Sequence, residues 1–204
     1  MALLHVDFFS DVLGMCAEMD VILPEQTHGQ IGMEGKRSEG KYPVLYLLHG
    51  MSDDHTIWQR RTSIERYAAD YGIAVVMPST QLGWYTDMYM GHKWWTYISK
   101  ELPAICRSFF PYMSDKREDT FAAGLSMGGY GALKLGLTCP EKFGAIGAMS
   151  SAVEITEQVF RHECPLKDNG LALFGPAEEI HGGPNDLYHK ARELAASGAV
   201  LPRI

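Results

Sequence analysis

The run "VLYLLHG", Val44 to Gly50, constrains the fold more than any other stretch, because it is apolar without alternation until it closes on His-Gly. A strand with one wet face alternates apolar and polar residues. A strand without alternation is covered on both faces, with neighbours on each edge and helices above and below. The rest of the chain can supply that cover. "TIWQRRTSIERYAADYG" has helical spacing at Ile57, Ile64, Tyr67 and Ala68 and stops at Gly72. "IAVVMP" is a second buried strand, and "WWTYISKELPAICRSFF" is amphipathic, with Pro103 expected to kink it or to fall near a start. "DTFAAGLS" and "FGAIGAMSS" read as strands. "MGGYGALKLGLTCP" and "NDLYHKARELAASG" read as helices, the second capped by Asn185 or Asp186. Before residue 44, "HVDFFS" and "AEMDVILP" read as two early strands, followed by a polar, Gly-rich connection up to Pro43. The expectation is one α/β domain over residues 1–204. Its sheet is mostly parallel, helices cover both faces, and an antiparallel pair forms the N-terminal edge.

Length and composition narrow the partners. A chain of 204 residues suits a single domain with a substantial core. The net charge is -7 and the basic residues are scattered, which argues against a nucleic-acid partner. No apolar run is long enough to span a bilayer, and "MALLHVDFFSDVLG" lacks the basic start of a signal peptide. Cys16, Cys106, Cys139 and Cys164 show no C-x-x-C spacing, so reduced, packed thiols in a cytoplasmic protein are expected.

The chemistry begins at Gly124-Leu125-Ser126-Met127-Gly128, which fits G-x-S-x-G between a strand and a helix. A serine on so sharp a turn is held in a strained backbone conformation. Glycines two before and two after it keep side chains from colliding, and the hydroxyl stands exposed above the sheet. The Met127 N–H points to the same place, at the positive end of the helix. Ser126 is therefore the candidate nucleophile for acyl transfer. Such a reaction needs two N–H donors on the tetrahedral oxyanion, and the second comes from the loop after an earlier strand, often opening His-Gly. His49-Gly50-Met51 fits, with Met51 N–H as the donor and Gly50 beside the substrate. His49 lies at the wrong place in chain order for a general base and reads as a structural hydrogen-bonding residue. Met51 and Met127 would also give the acyl pocket adaptable apolar surface. The loop "GWYTDMYMGHKWW" follows a strand, at the end of the sheet where sites form, so Trp84 and Tyr85 are candidate pocket walls. His92 reads as a loop residue.

With these residues in view, the sequence resembles the esterase D branch of the α/β-hydrolases, a branch that includes S-formylglutathione hydrolases. Within it, the chain looks most like the tributyrin-type bacterial esterases. The matching segments are "YPVLYLLHGMSDDHTIWQRRTSIERYA", "VVMPSTQLGWYTDMYMG", "ELPAICRSFFP" and "FAAGLSMGGYGALKLGL". The resemblance implies an α/β-hydrolase fold and a serine carboxylesterase acting on small acyl esters. It also implies no metal or organic cofactor, a cytoplasmic location and often a homo-oligomer. Ser126 would be the nucleophile, with Met51 and Met127 as the oxyanion donors. Thioester hydrolysis of S-formylglutathione is the nearest alternative, and a non-catalytic binding module with a hydrolase-like pocket is the other.

One part of the pattern is not found. In this fold the chain order is Ser, then Asp or Glu, then His. "LPRI", Leu201 to Ile204, reads as the start of the strand that would carry the acid. About two βα units would have to follow, so the sheet is expected to lack its last strands and this chain alone to be impaired. Asp186 and His189, three apart on a helix, are better explained by capping and a solvated face. His162 and His181 lie in a Gly/Pro-rich excursion over residues 150–184, expected to cap the site, and Asp168 falls in the same stretch.

Overall fold

The computed structural model describes residues 1–29, 31–32, 35–36, 40–156 and 169–204. A hairpin opens the fold, β1 (Ala2–Ser10) pairing antiparallel with β2 (Met15–Leu23). There follow β3 (Val44–Leu48), β4 (Ala74–Pro78), β5 (Thr120–Leu125) and β6 (Ala145–Met149). The sheet order is β1-β2-β4-β3-β5-β6. β2 meets β4 antiparallel, while β3–β4, β3–β5 and β5–β6 are parallel. The antiparallel N-terminal edge and the parallel remainder agree with the sequence reading.

The unbroken apolar strands are buried for the reason the pattern gave: all of β4 and nearly all of β3 lie inside. On one face Val75, Leu47 and Ile22 meet Ala68, with Trp58 and Ile64 packed around them, from α1 (Ile57–Arg61) and α2 (Ile64–Tyr71). On the other face Tyr46, Leu48 and Val76 join a larger core. That core includes α3 (Trp94–Thr96), α4 (Leu102–Phe109), α5 (Met127–Thr138), α6 (Gly170–Phe174) and α7 (Leu187–Ser197). Asp186 caps α7, its carboxylate accepting the His189 N–H at 2.9 Å. Arg203 bridges to Ala145 in parallel on the outer edge of β6, an isolated pairing within the segment read as a strand start.

One helix differs from the sequence reading. The helix expected across Ile57 to Tyr71 is two, broken at extended Thr62. The Thr62 hydroxyl donates to the Trp58 carbonyl and accepts the Ile64 N–H at 3.2 Å, so the side chain takes over backbone partners and ends the turn. Pro103 falls in the first turn of α4, near a start as expected, and one turn of π-helix over Tyr97–Glu101 precedes it. Proline has no N–H, so Pro103 leaves the carbonyl four residues back, that of Ser99, without its usual donor. Lys142 Nζ donates to that carbonyl instead, at 3.1 Å.

Candidate active site

Ser126 sits between β5 and α5 with φ 56° and ψ −114°, a region that side-chain-bearing residues rarely adopt. The flanking glycines make it feasible. A β-carbon on Gly124 would strike the Gly128 backbone, and one on Gly128 would strike the Leu48 and His49 carbonyls. The elbow is pinned from β6, since Ser126 N–H donates to Met149 O at 2.9 Å. Its own carbonyl accepts the Tyr130 N–H at 3.0 Å, which starts α5. The hydroxyl is half-buried and makes no hydrogen bond among the described residues.

The loop after β3 lies against this turn. A β-carbon on Gly50 would sit 3.5 Å from Leu125 O. Gly50 O accepts the Asp53 N–H at 3.3 Å, which folds the loop back on itself. Neither the Met51 nor the Met127 N–H is used by another group among the described residues. The two amides named from the sequence therefore stand free in adjoining turns, and the helix start at Met127 adds its positive end. The Met127 side chain is buried in the core and cannot line an open pocket, whereas Met51 is half-buried.

His49 is buried and structural. Its Nδ1 lies 2.7 Å from Gly50 O and its Nε2 accepts the Thr80 N–H at 2.9 Å, which assigns the proton to Nδ1. Desolvation holds its pKa below the usual histidine value, in spite of the Gly50 carbonyl, so the ring stays neutral. It joins the ends of β3 and β4 to the loop that presents Met51.

Trp84 and Tyr85 both have φ 50° and both turn inward. Tyr85 is fully buried, its hydroxyl donating to His49 O at 2.9 Å, and a β-carbon on Gly131 would strike its ring. Trp84 packs edge-on to Tyr130 and Phe174, with centroids at 6.0 and 5.8 Å. In place of the pocket walls expected from the sequence, the pair form a buried support beneath the site: two successive left-handed residues drive both rings into the core.

Lys134 escaped the sequence reading, although it is the one charged residue inside an apolar helix. It is buried on α5, and Nζ donates to Asn185 Oδ1 at 2.7 Å, to Thr86 Oγ1 at 3.1 Å and to Tyr85 O at 3.4 Å. It also lies 4.8 Å from the Trp95 ring centre. Burial pushes its pKa down to about 7. The lysine thus ties α5 to the Trp84–Tyr85 turn and to the residue before the α7 cap.

None of the other described histidines is hydrogen-bonded to the Ser126 hydroxyl, and His55, in the loop after β3, faces Glu18 and Asp20. His92 is exposed beside Trp94 and His181 is exposed; His189 pairs with Glu193 at 3.1 Å. His162 and Asp168 fall outside the described residues, as do all of residues 157–168 of the excursion read over 150–184. No group of metal-ligating side chains occurs among the described residues. Cys16, Cys106 and Cys139 are free thiols, and Cys164 is outside the described set.

Comparison with known proteins bears on the family and the fold. A family model described as "Putative esterase" matches residues 10–200. An acetyl esterase from Caldicellulosiruptor saccharolyticus is 30% identical over all of this chain and 78% of its own length. An S-formylglutathione hydrolase from Paracoccus denitrificans (strain Pd 1222) is 31% identical over 58% of this chain and 49% of that protein. Among solved structures, the Staphylococcus aureus fluorophosphonate-binding serine hydrolase FphF superposes with a TM-score of 0.86 at 33% identity, over 98% of this chain and 76% of that one. The Staphylococcus aureus S-formylglutathione hydrolase FrmB gives 0.81 at 33% identity, with the same coverage.

Proposed function

Because the chain belongs to the esterase family and has the α/β-hydrolase fold of a serine carboxylic-ester hydrolase, we propose that Ser126 is its nucleophile, acting on short-chain acyl esters with Met51 and Met127 as oxyanion donors. One observation carries this reading: among the described residues, a serine hydroxyl on a strained turn has no partner, and the turn is flanked by two unused backbone N–H groups. Ser126 Oγ attacks the acyl carbonyl carbon and its proton passes to a base. The carbonyl oxygen becomes an oxyanion held by the two N–H groups. Collapse expels the alcohol, which takes the proton, and leaves an acyl-enzyme. Water repeats the sequence and releases the acid. No described residue offers the base to Ser126, so the Asp or Glu and the His of such a triad come from outside the described residues. Without them the hydroxyl stays protonated, and turnover is residual.

The test is hydrolysis of p-nitrophenyl acetate and butyrate by the wild-type chain and by Ser126→Ala. The variant should lose all turnover above background; a variant that keeps the wild-type rate assigns the chemistry elsewhere. Similarity to FrmB and to the Paracoccus enzyme supports a second reading, hydrolysis of S-formylglutathione. A higher kcat/KM on that thioester than on p-nitrophenyl acetate would select it. The esterase D assignment rests on the elbow and the His49-Gly50-Met51 loop. A cytoplasmic setting is supported by the free thiols, and no described helix is long and apolar enough to cross a membrane.

A further inference from the structure

β1 is the outermost strand of the sheet. It pairs with β2 on its inner side and, among the described residues, has no ladder on its outer side. In an antiparallel strand every second residue turns its N–H and C=O to the same side, so alternate β1 residues present theirs outward. Open edges of this kind pair with other strands, and proteins blunt them with proline, lysine, a bulge or a short length. β1 has none of these. Its nine residues, ALLHVDFFS, hold no proline or lysine, and its register against β2 runs unbroken from Ala2 to Ser10. The opposite edge differs, since β6 has five residues and its outer side carries the Arg203 bridge.

The β1 sequence is complementary to itself when read antiparallel about Val6. Leu3 then lies opposite Phe9 of a second copy, His5 opposite Asp7, and Val6 opposite Val6. Leu3, His5, Asp7 and Phe9 share one face and are all exposed, Phe9 by 60%. On the other face Leu4 lies opposite Phe8, which packs edge-on to the exposed Phe109 at 6.3 Å. The charges fit in the same register. Asp7 sits opposite Glu18 on β2 and makes no ion pair among the described residues. His5 holds the buried Asp20 through Nδ1 at 2.5 Å, and its Nε2 has no partner among the described residues. An imidazolium donates from both nitrogens, so His5 can hold Asp20 and Asp7 of the second copy together. A slip to the next register that keeps the outward groups matched sets His5 against His5 or Asp7 against Asp7, like charge against like.

We propose that a second copy of this chain pairs with β1, antiparallel and centred on Val6, so that two six-stranded sheets join into one across a two-fold axis. The outward N–H and C=O groups of each β1 bond to those of the other. The Leu3–Phe9 and His5–Asp7 pairs each occur twice, once on either side of the axis. Phe109 closes the seam on the other face beside Phe8 and Leu4.

Sedimentation velocity over a concentration series tests the interface without reference to Ser126. The wild-type chain should sediment as a dimer. Asp7→Lys and Phe9→Lys should each weaken association at least about tenfold, because each change acts twice across the axis. Both side chains are exposed, so the variants keep the fold, which an unchanged circular dichroism spectrum checks. Disulfide trapping tests the register, since residues directly opposite in such a pair lie within disulfide reach. In a Cys16→Ser background, which removes the exposed native thiol, Val6→Cys should oxidise to a linked dimer. Leu3→Cys alone should not link, whereas a mixture of Leu3→Cys with Phe9→Cys should. A monomeric wild type, or a dimer that either lysine variant leaves intact, would overturn the β1 edge as the interface. Linking by Leu3→Cys alone, or no linking by Val6→Cys in a chain that still dimerises, would overturn the pairing about Val6.

Discussion

Ser126 carries a backbone conformation that costs on the order of 1–3 kcal/mol for a residue with a side chain. Its side chain makes no capping bond to α5 that would offset this. Ser126→Gly and Ser126→Ala both remove the hydroxyl, but only glycine relieves the strain, at about 0.5–1 kcal/mol of added chain entropy. Ser126→Gly is therefore expected to be the more stable of the two by about 1 kcal/mol in urea; equal midpoints would argue that the turn is unstrained. His49 makes a pH prediction. Its pKa is lowered in the fold, so between that value and the ordinary 6.5 the unfolded chain holds a proton that the folded chain does not. The stability it contributes is complete above about pH 6.5 and is lost as the pH falls below it. A protonated ring would also set an Nε2–H against the Thr80 N–H. Urea midpoints at pH 7, 6 and 5 should fall more steeply for wild type than for His49→Gln; parallel slopes would exclude His49 as the source.

At the scale of elements, Lys134 couples α5 to the turn at Trp84–Tyr85 and to the start of α7. Its pKa is about 7 when folded and 10.5 when free. Between those values the unfolded chain binds the extra proton, so wild type gains stability as the pH rises from 7 towards 10. Relative to Lys134→Met, that gain should approach about 1 kcal/mol per pH unit. A constant difference from pH 7 to 9 would show that the lysine is not held neutral. Elements were legible in the sequence where a periodic signal had one physical meaning. Val44 to Leu48 and Ala74 to Pro78 are buried strands because nothing in them can face water. The elbow was legible through Gly124 and Gly128, which record backbone contacts too close for a β-carbon. Other features depended on which partner a side chain finds. The break at Thr62 hangs on one hydroxyl turning back to Trp58. The inward turn of Tyr85 hangs on two positive φ angles at residues that are not glycine, and aromatic content alone does not tell a pocket wall from a buried support. Lys134 is apolar context with a charge in it, and only the position of Asn185, far along the chain, explains it.

For the whole molecule, the sheet has two unequal edges. The β1–β2 hairpin is long and regularly paired. At the other side β6 is paired on one edge by β5 and, among the described residues, touched on the other only by the Arg203 bridge, with Leu125, Met149, Leu201 and Ile204 exposed nearby. Arg117 steadies that edge, donating to the Val200 and Leu201 carbonyls at 3.3 and 3.0 Å. Strands with so few buried neighbours open at lower cost than the centre of a sheet. Amide hydrogen exchange should therefore release the β6 amides well before those of β3 and β4; uniform protection across the sheet would contradict this. The Ser126 amide belongs to the early group, because it is bonded to Met149 O on that strand. Ser126 is thus tethered to an edge strand of the sheet. Warming should separate competence from architecture: the reactive turn would be lost while most of the fold persists, and a stabilising change at the β6 edge should preserve turnover without raising the midpoint of global melting.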